Sequence, residues 1–290
     1  MKSEGGKALF AELQEQVGNC LRGIDALDFG RSRTAAESAQ AIIKQRQDDP
    51  SIDDEATLND FAVLGYLVRF LSEYAIFWER VTKREYEPSW MALQDTLNSI
   101  RLLKRVSLVD VGRFERQLGQ LEQVYPYKIF ASVGCIAERV ECSICGHDID
   151  SFDCVHRRGE LYRGKMAYGI VRNLKNFDHV ALTENPEDKR CMMKLEGKVY
   201  EFPAIDWLAD HLTAQKFAVS DISHLEMSER RKRDESIVSQ ARNARCQCGS
   251  GKKFKQCCSE KEFITYPHAE FILRGNSSKV RALVGTGNGG

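Results

Sequence analysis

From about residue 6 to residue 125, apolar side chains recur every three to four positions, the period of a helix with one buried face. Leu9, Leu13, Val17, Leu21 and Ile24 form the first stripe. Thr34 followed by Glu37 has capping-box spacing and predicts the opening of a second helix. Leu58, Phe61, Leu64, Leu67, Leu71, Tyr74 and Trp78 mark a third, so apolar that it belongs at the centre. Ser89 is placed to cap a fourth, with Leu93, Leu97, Ile100 and Leu103 inside. Ser107 with Asp110 predicts a fifth, turning Val111, Phe114, Leu118 and Leu121 inward. The expectation for 1–125 is an antiparallel helical bundle of four or five helices.

At Tyr125-Pro126-Tyr127 the helical period stops. Lys128 to Val140 is rich in β-branched and aromatic residues, as a strand is. Short strands are also predicted over Lys165–Val171, His179–Thr183 and Met192–Phe202, the last with a hairpin turn at Glu196-Gly197. Pro203–Leu212 reads as a short amphipathic helix with Trp207 and Leu208 facing in. Residues 225–245, with Glu229-Arg230-Arg231-Lys232-Arg233-Asp234-Glu235, read as a charged, solvated helix or linker. The last dozen residues end in GTGNGG and predict a disordered tail. The fold class expected is mainly α with a small α+β domain. The parts are a helical bundle over 1–125, an α+β domain over 126–224, a linker over 225–245, a cysteine-rich motif over 246–262, and a short strand with a tail over 263–290.

Composition changes this picture little until the cysteines are considered. Forty-two basic and forty-two acidic residues cancel, so nothing global favours nucleic acid or membrane. The N-terminus MKSEGGKALFAELQE lacks a secretory signal, and the longest apolar run, Phe61 to Val68, is short for a bilayer span. A cytoplasmic location is therefore expected. In that compartment clustered thiols are metal ligands rather than disulfides. Seven of the ten cysteines fall in two clusters, while Cys20, Cys135 and Cys191 are scattered. Cys20 lies on an apolar helix face and reads as a buried small hydrophobe.

The first cluster reads CSICGHDIDSFDCVH. Cys142 and Cys145 flank a tight turn for which Gly146 can supply a positive φ. Cys154 and His156, one residue apart, face the same way on an extended chain. The four side chains can close a tetrahedral zinc shell, and a closed shell leaves no open position for water, so the expected role is structural. His147 competes with His156 for the fourth position, and His179 or Cys191 are further candidates to enter or support the site.

The second cluster, RCQCGSGKKFKQCC, places Cys246 and Cys248 one residue apart, then Cys257 and Cys258 adjacent after an eight-residue gap. Gly249-Ser250-Gly251 supplies the turn, and Arg242, Arg245, Lys252, Lys253 and Lys255 can offset the −2 charge of a zinc tetrathiolate. This stretch resembles the SEC-C motif, the zinc-binding tail of the bacterial preprotein translocase ATPase that also ends many otherwise unrelated bacterial proteins. The pattern of that motif is Cys-x-Cys, eight residues with Gly-Ser-Gly-Lys-Lys and an aromatic, then Cys followed by Cys or His. It stands here at Cys246, Cys248, Gly249 to Phe254, Cys257 and Cys258, with Gln247 where proline is usual. The resemblance implies zinc and docking to a protein partner, such as an export chaperone or the ribosome. It does not imply an ATPase, because no GxxxxGK[ST] loop is present.

Two zinc ions and an adaptor role are the first expectation. An alternative is nucleic-acid binding through the basic 230–255 stretch, with Phe254 stacking on a base. Another is a zinc-dependent nuclease or hydrolase in the middle domain. Asp178-His179 with Asn185 faintly resembles an HNH-type nuclease, but the second histidine of that motif is missing, and no G-x-S-x-G elbow occurs. No catalytic residue is assigned, and the balance leans away from catalysis.

Overall fold

The computed structural model describes residues 1–233, 240–259, 263–274 and 280–282. Five helices follow one another: α1 (Glu4–Asp25), α2 (Phe29–Gln47), α3 (Glu55–Thr82), α4 (Tyr86–Val106) and α5 (Gly112–Gln123). On α1 the side chains of Leu9, Leu13, Cys20 and Ile24 are buried. Helix α3 packs against α1, α2 and α4, and Phe61, Leu64, Leu71, Tyr74 and Trp78 along it are each at most 4% exposed. By length and composition α3 is apolar enough to cross a membrane, yet 61% of its most apolar window is buried within the protein. Packing on neighbouring helices uses that apolar surface.

The helix starts differ from the capping expectations. Helix α2 opens earlier than Thr34, at Asp28, whose carboxylate accepts from the Arg31 N–H at 2.9 Å. Thr34 lies within the helix and is exposed. Helix α4 opens at Tyr86, and Ser89 in its first turn donates to the Tyr86 carbonyl and meets Tyr125 Oη at 2.7 Å. Helix α5 opens at Gly112, whose N–H reaches Asp110 at 2.9 Å, while Ser107 ends α4 instead. Serine and threonine bond local backbone in several conformations, so their spacing to an acid does not single out a helix start. Asp28→Ala is expected to lower stability by about 1 kcal/mol and Thr34→Ala by far less, measured by urea unfolding.

Tyr125, Tyr127 and Phe130 do more than end the helices. All three are buried, with ring centroids 5.2, 5.3 and 6.1 Å from Trp90 of α4. From there β1 (Phe130–Cys142) runs out, β2 (Leu161–Tyr162) and β3 (Lys165–Met166) form a small hairpin, and β4 (Gly169–Thr183) returns antiparallel to β1. The strands predicted over Lys165–Val171 and His179–Thr183 are thus pieces of a hairpin and of one 15-residue strand. Met192–Phe202 is not a strand. Only Met192 bridges to Phe130, although Gly197 (φ +75°) does make the expected turn. Met193, Leu195 and Val199 are exposed, with no sheet surface to cover.

Helix α6 (Pro203–Thr213) buries Leu208 and stacks Trp207 on Phe271 at 4.9 Å. The charged stretch expected as helix or linker is instead a strand as far as Arg233. This β5 (Ile222–Arg233) pairs antiparallel with β6 (Phe263–Leu273), which also pairs with β7 (Val280–Ala282). The partner strand lies about forty residues away, so local composition could not reveal it; Ile222↔Leu273 and Arg233↔Phe263 are the ends of the ladder. Buried Gln117 of α5 fixes the start of β5, donating to the Ile222 carbonyl at 3.2 Å while accepting from Tyr74 Oη at 2.6 Å. The cluster expected on a loosely tethered tail is therefore an insertion between two paired strands. Residues 234–239 of the expected linker and 283–290 of the expected tail lie outside the described residues. One contiguous set of buried side chains joins Trp78 and Trp90 to Phe130, Phe202, Leu208, Leu225 and Phe271, so the boundary expected at 125/126 runs through a shared core.

Candidate metal centres

The central cluster begins where β1 ends. The Cys142 N–H donates to the His147 carbonyl at 2.7 Å and the Gly146 N–H to the Cys142 carbonyl at 2.9 Å. Gly146 has φ +75°, as the turn requires. The Ile144 N–H points at Cys142 Sγ from 3.4 Å. The following loop brings Cys154 Sγ to 3.8 Å from Cys145 Sγ and 4.0 Å from His156 Nδ1. The donor atoms of Cys142, Cys145, Cys154 and His156 all lie within 4.8 Å of one another. Metal–sulfur bonds of roughly 2.3 Å in a tetrahedron put sulfurs about 3.8 Å apart, so this set fits a borderline divalent ion.

The helices hold this centre in place. Asn59 of α3 accepts from the Gly164 N–H at 2.7 Å and donates to the Leu161 carbonyl at 3.3 Å. Gly164 (φ +78°) lies so close to α3 that a Cβ there would come within 3.1 Å of the Leu58 carbonyl oxygen. The hairpin thus docked carries Tyr162, which meets the His156 ring edge-on at 4.7 Å. Tyr162 and Asn59 are supports that sequence reasoning missed, because their partners are distant in the chain. The other candidate ligands stand apart from the cluster. His147 is exposed and serves through its backbone; His179 is exposed on β4, with Nδ1 3.0 Å from Asp178 Oδ2; Cys191 is exposed and its carbonyl accepts from the Ala131 N–H.

The thiols of this cluster pull one another's protonation apart. Burial opposes ionisation of Cys142, but the N–H groups of Cys145 and Ile144 and the neighbouring thiols hold it below the ordinary thiol value. Burial, together with the adjoining Cys142 and Cys145, raises Cys154. Thiols this close cannot all ionise without a cation between them.

The second centre forms on a shorter loop. The Cys246 N–H bonds the Lys252 carbonyl at 2.8 Å, the Phe254 N–H bonds the Ala244 carbonyl at 2.8 Å, and Phe254 is buried beneath. Gly249 (φ +79°) and Gly251 (φ +72°) make the reversal. Cys248 Sγ lies 3.4 Å from Cys257 Sγ, which lies 3.8 Å from Cys258 Sγ. The donors of Cys246, Cys248, Cys257 and Cys258 fall within 4.8 Å, so the adjacent pair reaches one site. Ser250, read from sequence only as a turn residue, brings Oγ to 3.1 Å from Cys257 Sγ. Its hydroxyl and N–H, with the adjoining thiols, lower Cys248 to about 6, whereas contacts with Cys246, Cys248 and Cys257 push Cys258 up to about 12. Arg242, Arg245, Lys252, Lys253 and Lys255 are exposed around the loop.

Two clusters able to hold metal ions are thus built into the fold, and their sulfur-rich donor sets are consistent with zinc. No curated protein and no solved structure matches the chain. The family model of the SEC-C motif matches residues 242–260, and the remainder has no family assignment. The second centre is accordingly the cysteine cluster of a SEC-C motif, carried between two paired strands of an otherwise unassigned fold.

Proposed function

We propose that the protein is a two-zinc adaptor, in which both ions are structural and the modules they stiffen serve as docking surfaces for a protein partner. The observation that carries this reading is that each cluster supplies four soft or borderline donors, with all donor atoms mutually within 4.8 Å. Four protein ligands fill a tetrahedral zinc ion and leave no position for a reactive water. Structural zinc contributes folding free energy directly, which suits loops as short as these. The SEC-C resemblance favours a partner such as an export chaperone or the ribosome, reached from the cytoplasm.

Elemental analysis of reduced protein is expected to give two zinc ions per chain, and clearly fewer would overturn the proposal. Cys248→Ser is expected to leave one zinc, to abolish capture of the partner, and to leave the far-ultraviolet helical signal unchanged. Because the ligands must shed protons to bind, zinc is expected to leave both sites as pH falls below neutral, with about four protons taken up per site once every thiolate and the His156 imidazole are protonated. A chromophoric chelator would follow this release. Zinc retained in full at pH 4 would contradict thiolate ligation.

A further inference from the structure

The ribbon of β1 and β4 carries an apolar face that nothing in the described chain covers. Directly opposed residues share a face, so Ala131 with Leu182 and Val133 with Val180 lie on one side. Gly134 and His179 occupy the other side, where a Cβ on Gly134 would strike the imidazole. Register shifts follow at Gly134/Cys135 and at Ile136/Ala137, each accommodating one extra residue of β4. The first face therefore continues through Cys135 with Phe177 and Ala137 with Leu174. The bulges turn the three-residue spacing of Leu174, Phe177 and Val180 into a single stripe. Val133, Leu174, Phe177, Val180 and Leu182 are 56%, 44%, 69%, 68% and 66% exposed.

We infer that this stripe is the surface on which a second copy of the chain packs, ribbon face against ribbon face about a two-fold axis. The first argument is area. The stripe offers on the order of 500 Å² per copy, the upper range for a patch on a monomer, and about 1,000 Å² for a pair, the least that a biological interface buries. An isolated two-stranded ribbon is also only marginally stable in water, and its edges between 132 and 139 accept no further backbone partner among the described residues.

The second argument is charge. Beyond Ala137 and Leu174 the same face continues with Arg139 opposite Arg172. At its other end, two residues past Leu182, stands exposed Glu184. Arg139 lies five residues on one side of Gly134, and on the other side the ladder ends at Phe130 opposite Thr183, with Glu184 the next residue. An antiparallel arrangement about that midpoint brings the arginine end of one copy to Glu184 of the other, twice over, as a two-fold requires. A parallel arrangement would set like charges together. Glu141 already contacts Arg172 at 2.9 Å and Arg139 at 3.5 Å, so the incoming carboxylate shares a cationic pair with a resident one.

Sedimentation velocity on the full zinc-loaded chain tests this. A monomer–dimer equilibrium is expected, shifted at least tenfold toward monomer by Phe177→Asp with Val180→Asp. Leu108→Asp, at an exposed apolar site off the ribbon, should leave the equilibrium unchanged. Arg172→Glu and Glu184→Arg should each weaken the dimer and together restore it. Circular dichroism and zinc content check that every variant is folded. A chain monomeric at all concentrations, whether or not lipid vesicles or a different protein take the stripe, overturns the proposal. So does a dimer indifferent to the Phe177 and Val180 changes, or one that the double charge reversal fails to restore.

Discussion

Cys145→Ser is expected to halve the zinc content and to unfold the segment from Cys142 to Met166 while the helices persist. Removing one of the four ligands opens the shell to water and leaves Cys142 and Cys154, the latter 3.8 Å from the lost sulfur, without the ion that reconciles their charges. Apparent binding energies of structural zinc run to roughly 10–16 kcal/mol, so losing a ligand costs several kcal/mol locally. The effect should stay local for a geometric reason. The segment touches the helices at their periphery, through contacts with Leu58, Asn59, Arg105 and Glu55, and Leu161 packs only on the margin of the core, whose centre lies around Trp78 and Trp90. Hydrogen exchange read by mass spectrometry would locate the change. Protection lost throughout 143–166 but kept in 60–80 is the expected pattern, and global loss of protection would show that the centre supports the whole fold. Cys191→Ser, at an exposed thiol outside both clusters, is the matched control and should keep two zinc ions.

Trp90→Ala should act on the whole molecule, lowering stability by about 3–5 kcal/mol. Trp90 is 1% exposed and is the residue on which the helices, the ribbon and the Lys189 loop converge. Its ring lies nearly parallel to Phe130, the first residue of β1, and packs against Tyr125 and Tyr127. Its indole N–H donates to the Lys189 carbonyl at 2.9 Å, and the Lys189 ammonium in turn pairs with Glu122 of α5 at 2.6 Å. Truncation leaves a cavity and an unpaired carbonyl together. Trp90→Phe keeps most of the volume and loses the N–H, so about 1–2 kcal/mol is expected. Urea unfolding followed by circular dichroism measures both. An alanine variant no less stable than the phenylalanine one would show that packing around Trp90 does not hold ribbon and helices together.

The two metal clusters were legible because each is local. All the donors of the first fall between Cys142 and Cys154 plus two residues, and those of the second between Cys246 and Cys258. Turn chemistry at Gly146, Gly249 and Gly251 is encoded beside them. Sequence reasoning favoured His156 over His147 because it pairs with Cys154. In the structure a His156 ring nitrogen lies within 4.8 Å of the three sulfurs, and Tyr162, brought in by the docked hairpin, packs on that ring. His179 lay in a suggestive Asp-His context, but β-pairing holds it across from Gly134, away from both clusters.

The helices were legible for a related reason. An amphipathic helix buries a face whose period is written in its own residues, as Leu93, Leu97, Ile100 and Leu103 show by all being buried. Their starts were not, because Ser89, Ser107 and Thr34 had equally good local bonds elsewhere in the helix or at its end. The strands are a different matter. A strand is half a structure, and the other half lies elsewhere in the chain. β5 looked like a solvated charged stretch because its partner Phe263–Leu273 lies beyond the SEC-C motif, and β4 hid its apolar face behind two bulges that only pairing with β1 creates. By itself, then, the sequence determined which side chains can enclose metal and which helices form, since both depend on residues a few positions apart. Tertiary structure alone decided where the SEC-C motif is mounted and which face of the ribbon is left apolar and open, because both depend on registers between segments that carry no local mark of one another.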